Sequence, residues 1–213
     1  MFTVGGLGPA IAALLCFDGK LTLRRLGTFL FGCKKSSAAV LLLMLALEAA
    51  TIGLSSRERN PAISIGSIPL IFLQAVTVYG GSEELGWRGV LQPLLQKKLP
   101  WAAATLLVGA IWALWHLPLW FIAGNSHQGS PFLGFALLAI LLSFWLAAVV
   151  NSRGSVFWCM LLHGASNTLL SVFVIKANFI LLLGLLLLTV LSVYVSVRGV
   201  RAQNKVKTLI FAE

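Results

Sequence analysis

The chain has 213 residues, of which 59% are hydrophobic and 10% charged, and its formal net charge is +10. Soluble domains carry about 25% charged residues, and a single domain of this size has no interior that could hide so much apolar surface, so a soluble fold is excluded. The basic excess lies between apolar runs, not on a basic helix or among interleaved aromatics, which excludes a nucleic-acid partner and points to membrane lipids.

In chain order, the first apolar run covers 2–17. It is short against the roughly 20 residues of a membrane span. No basic segment precedes it and Asp18 follows it, so it reads as a helix rather than a cleaved signal, and as one whose beginning is cut short. Further runs follow at 37–55, 62–82, 101–122, 132–150, 155–175 and 178–197. Each must be helical, because lipid offers the backbone no hydrogen-bond partners. The expectation is an all-α, polytopic transmembrane bundle of about seven helices, forming one domain over 1–213. Segment 90–99, which closes on Lys97, Lys98 and Pro100, reads as a short amphipathic piece at the interface. The tail 198–213 is basic and is expected to be frayed or headgroup-bound on the cytoplasmic side.

Lys and Arg set the orientation. Lys20, Arg24, Arg25, Lys34 and Lys35, then Arg88, Lys97 and Lys98, then Arg153, then Arg198, Arg201, Lys205 and Lys207 fall on one side of a seven-span arrangement. Only Arg57, Arg59 and Lys176 fall on the other. The expected protein spans a bacterial cytoplasmic membrane several times, with its N-terminus outside and its C-terminus in the cytoplasm. The three cysteines, Cys16, Cys33 and Cys159, form no CxxC pair and imply neither a disulfide framework nor a zinc knuckle.

Five ionisable residues, Glu48, Glu83, Glu84, His116 and His163, fall within or against apolar runs. Each costs about 2.5–3.5 kcal/mol to insert, and a functional site is the default reason to keep them. Glu84 and Arg88 are four apart and share a helix face, which suits an ion pair. Glu83 is turned about 100° away with no cation at i+3 or i+4, and is the carboxylate left to act as a general base. His116 shares a face with Trp112. Pro118 cannot donate to the carbonyl of Leu114, so the helix should bend there and leave room for water or ligand. His163 and Asn167 again share a face, both can donate hydrogen bonds, and Gly164 beside them permits close helix approach.

The three segments, Glu83-Glu84-xxx-Arg88, Trp112-xxx-His116 and His163-xxx-Asn167, resemble the signature of the CAAX prenyl protease and bacteriocin-processing (CPBP, or Abi) intramembrane proteases. The likeness covers about 80–168; Trp112 stands where the family often has Phe. It implies that Glu83, helped by His116, activates a water, and that His163 and Asn167 stabilise the oxyanion. The family is also labelled metalloprotease, and Glu83, His116 and His163 would be the ligands of a zinc ion. No HExxH is present, and no cofactor is expected. The reading is therefore an intramembrane endopeptidase that cleaves a CAAX-type, bacteriocin or leader-like peptide, or a membrane-protein tail, near the cytoplasmic side. Its site would lie between helices 3, 4 and 6. The rivals are a non-proteolytic scaffold or immunity protein that retains the motif, and a small transporter with a proton relay, for which no inverted repeat is visible. Helix 3, if it ends at 82, puts Glu83 at the cytoplasmic end. His116 would lie about 22 Å deep in helix 4, fifteen residues from its start.

Overall fold

The computed structural model describes residues 2–16, 22–33, 37–56 and 58–210, with side chains described from 6 to 204. Asp18, Lys20, Lys34, Lys35, Arg57 and the side chains of Lys205 and Lys207 lie outside the described residues. Among those described, the regular structure is helical, with one isolated bridge between Arg59 and Phe173. It is an all-α membrane bundle. Five helices are long and apolar enough to cross a bilayer: Ser37–Ser55, Ile65–Gln96, Trp101–Phe121, Phe132–Asn151 and Phe179–Asn204. Two more apolar helices, Gly6–Leu15 and Val156–Val172, are shorter. The expected seven apolar segments are thus present as helices, and five of them have spanning length among the described residues.

The elements are α1 (Phe2–Leu15), α2 (Leu23–Phe31) and α3 (Ser37–Ser55), then α4 (Ile68–Thr77), α5 (Glu84–Gly86) and α6 (Gln92–Gln96). They continue with α7 (Trp101–His116), α8 (Phe132–Asn151), α9 (Val156–Val172) and α10 (Phe179–Ile210). Three expectations change here. The connection after α1 holds an amphipathic helix, α2, capped by Thr22 accepting from the Arg25 amide. Most of the piece expected at the interface, 90–99, instead continues the third membrane helix, which runs to Gln96 and whose Gln92 is fully buried. The last helix runs on to Ile210, past the expected end at 197; Arg, Gln and Ala are good helix formers.

The bundle is packed on α8. Its Leu142, Trp145, Leu146 and Val149 meet Val108 and Trp112 of α7, Cys159 and Leu162 of α9, and Leu188 of α10. α4 lies along α9, and α3 along α10. Leu42, Leu133, Leu182 and Leu186 point outward, as a lipid-facing surface requires. In lipid, helices are drawn together by close packing rather than by hydrophobicity. Gly164 of α9 shows why: a Cβ there would strike the backbone of Val76 in α4.

Hydrogen bonds sort the loops into two ends. At one, Ser37 donates to the Arg153 carbonyl, Gln96 donates to the Asn151 side chain, and Gln203 to the Asn151 carbonyl. At the other, Ser56 donates to the Val174 carbonyl, Asn178 to that of Ser55, and Lys176 pairs with Glu58 at 2.8 Å.

Candidate functional site

The site is built on a break in the third membrane helix. α4 ends at Thr77, and the amides of Val78 and Tyr79 both donate to the Gln74 carbonyl, at 2.8 and 2.9 Å. Gly80 then turns the chain with φ +111°, a conformation L side chains avoid. Its place is tight as well, since a Cβ would come 2.7 Å from His163 Nε2 and strike the Asn167 amide. The helix restarts as a 3-10 turn, Gly81–Glu83, continues through α5, and widens into a π-helix at Trp87–Leu91. Single π turns recur at functional sites, and broken membrane helices recur where a polar site lies at mid-depth.

This break removes the mismatch of depth. The helix extends to Gln96, so Glu83 lies thirteen residues from that end, about 20 Å by helical rise. His116 lies fifteen residues into α7 from the same end of the bundle, about 22 Å. The two therefore meet.

Glu83 is 2% exposed. Its Oε2 accepts from Trp112 Nε1 at 2.7 Å and from Trp87 Nε1 at 3.2 Å. Its Oε1 faces His116 Nε2 at 3.7 Å. The other imidazole nitrogen, Nδ1, lies 3.0 Å from the Trp112 carbonyl, so Nδ1 carries the proton in the neutral ring and Nε2 presents a lone pair to Glu83. α7 ends at His116 itself. Instead of being stranded by Pro118, the Leu114 carbonyl accepts from the Leu117 amide as the chain tightens into a 3-10 turn, Leu117–Phe121.

Glu84 does more than its spacing foretold. It pairs with Arg88 at 3.1 Å, and it also accepts from His163 Nδ1 at 2.7 Å. Arg88 donates to Ser143 of α8 at 2.7 Å and lies 5.5 Å from the centre of the Trp112 ring. It is buried in the bundle and does not belong to the basic connection counted for orientation. His163 Nε2 is turned to Gly80, and Asn167 Nδ2 donates to the Tyr79 carbonyl at 2.8 Å, with its second hydrogen left over. Helices 3, 4 and 6 of the sequence thus supply the cluster. α1 adds a wall, because a Cβ on Gly6 would come 3.9 Å from Glu83 Oε1. Glu48, also flagged in the sequence, is buried on α3 beside Ser166 and makes none of the bonds just described.

Sequence reasoning missed Trp87, Ser143, His127 and Gly6. Trp87 was within reach of the i,i+4 rule that paired Glu84 with Arg88. His127 sits in a 3-10 turn, Ser126–Gly129, its ring 4.8 Å from that of Trp120 and 5.6 Å from that of Phe135, which in turn packs on His116. Burial, and then the nearby His116, hold the His127 imidazole below its ordinary value.

Among the described residues no three His, Cys, Asp or Glu side chains are grouped closely enough to hold an ion. Glu83 Oε2 is taken by two indoles and His163 Nδ1 by Glu84.

Residues 65–169 match the sequence profile described as Type II CAAX prenyl endopeptidase Rce1-like. Every residue of the cluster but Gly6 lies inside that stretch. The chain is also 39% identical over 67 residues to CAAX prenyl protease 2 of Methanococcus maripaludis, covering 32% of this chain and 24% of that protein. It spans about a quarter of the length of that relative. The profile, which encloses the three motifs, and the relative support placing the chain in the CAAX prenyl protease and bacteriocin-processing family, and its long apolar helices point to an integral membrane protein.

Proposed function

We propose that the chain is an intramembrane endopeptidase in which Glu83 and His116 activate a water for attack on a peptide bond. One observation carries this reading: two acceptors, Glu83 Oε1 and His116 Nε2, face each other at 3.7 Å, with Glu83 buried and His116 partly exposed. That gap is too wide for a direct hydrogen bond. It suits a water about 2.8 Å from each, donating one hydrogen to either side with its lone pair turned outward.

In the proposed reaction the water oxygen bonds to the scissile carbonyl carbon as its proton passes to Glu83. The carbonyl oxygen becomes an oxyanion. Asn167 offers its spare N–H hydrogen, and His163 in its imidazolium form offers Nε2–H, while Glu84 fixes the ring from behind. Such preorganised donors are worth about 100-fold or more each. The C–N bond then breaks, and the departing amine takes the proton held by Glu83. His116 is 19% exposed by side chain, which gives the pair an opening to substrate.

The proposed substrate is a peptide with a hydrophobic or lipid-modified end, of CAAX type, or a bacteriocin or leader peptide. The test is purified protein in nanodiscs, assayed against a prenylated C-terminal peptide and against a leader-like peptide, with zinc content measured by mass spectrometry. Cleavage of one peptide, retained in 1,10-phenanthroline, is expected. About one zinc per chain, lost together with activity and restored by added zinc, would overturn the metal-free mechanism. No cleavage of any peptide would favour the scaffold reading.

A further inference from the structure

The carboxylate of Glu83 is held by two indoles and by no cation. Trp112 Nε1 and Trp87 Nε1 reach the same oxygen, Oε2, from two different helices. Trp112 stands on α7 and Trp87 opens the π turn of Glu83's own helix. All three side chains are buried. The one guanidinium of this neighbourhood, Arg88, is engaged by Glu84 and Ser143.

A buried indole N–H needs an acceptor, but that need does not require two of them on one atom. The torsion that swings a carboxylate's oxygens is broad and roughly two-fold, so an unrestrained Glu83 would exchange Oε1 and Oε2 freely. Two donors on Oε2 break that symmetry, and hydrogen bonds to a charged acceptor are the stronger kind. Oε1 is left without a hydrogen bond, faces His116, and is walled on another side by Gly6 of α1.

We propose that Trp87 and Trp112 are positioning residues that lock the Glu83 carboxylate, so that Oε1 alone meets the attacking water. The inference rests on the reading of Glu83 as the general base. Phe at either position keeps most of the packing and loses the donor. Misplacing a reacting group by about 1 Å costs on the order of 100-fold in rate. Trp112→Phe should therefore lower kcat about ten- to a hundredfold. Trp87→Phe, whose bond is longer, should lower it less.

The experiment compares wild type, Trp87→Phe, Trp112→Phe and Glu83→Gln, purified in nanodiscs, by steady-state cleavage, thermal unfolding and the NMR shifts of ¹⁵N-labelled indoles. The lock predicts a lower kcat for Trp112→Phe with KM and the unfolding midpoint held. It also predicts that the Trp87 and Trp112 indole signals, assigned by their loss in the Phe variants, lie at low field and move together to higher field in Glu83→Gln. A kcat loss accompanied by a raised KM and a lowered midpoint would make the indoles structural and overturn the proposal. So would indole signals that stay put in Glu83→Gln. An active Glu83→Gln protein overturns the base reading beneath the inference. An inactive Glu83→Gln beside a fully active Trp112→Phe overturns the inference alone.

Discussion

Three ionisable side chains meet in one buried cluster around Glu84. Glu84, Arg88 and His163 are each at most 2% exposed. Arg88 reaches Glu84 and Ser143, and His163 reaches Glu84 at 2.7 Å. Removing one member of a buried pair strands the other and costs about 3–5 kcal/mol. Glu84→Gln and Arg88→Ala should therefore give low folded yield and a lowered unfolding midpoint in detergent; a fully stable Arg88→Ala would reverse this assignment. The Glu84–Arg88 pair was legible because four residues on a helix always share a face. Glu84 with His163, Arg88 with Ser143 and Trp112 with Glu83 were not. They join residues 79, 55 and 29 positions apart, and no local rule reaches across helices.

At the scale of elements, the unexpected feature is the interruption at Gly80. Hydropathy located an apolar run ending near 82. It could not tell that the helix bends there and resumes to Gln96, because Glu83, Glu84 and Arg88 look like an interface until they are seen to bond one another. The bend places the Tyr79 carbonyl on Asn167 and His163 Nε2 beside Gly80. Gly80→Ala would put a Cβ into that space at a left-handed φ, costing about 1–2 kcal/mol in conformation alone. The expected outcome is a fall in cleavage rate larger than the fall in unfolding midpoint, since His163 and Asn167 are displaced first. Wild-type turnover in Gly80→Ala would show that the bend does not position the site.

For the whole molecule, the number of apolar segments and their helical nature were legible from composition, whereas their lengths were not. α9 is short because it stops at Val172 and hands its end to the loop that joins Arg59. We propose that the end carrying Arg24, Arg25, Lys97, Lys98 and Arg153 faces the cytoplasm, by the positive-inside rule. In a variant with Cys16 and Cys33 replaced by serine, Gly129→Cys should react with an impermeant thiol reagent on intact cells. Labelling only after lysis would invert the orientation. The central claim is that this bundle hydrolyses peptides through a water on Glu83, and the most direct measurement is the cleavage rate of Glu83→Gln beside wild type at matched folded protein. The account predicts loss of essentially all turnover with an unfolding midpoint close to that of wild type. A folded Glu83→Gln protein that still cleaves would contradict it.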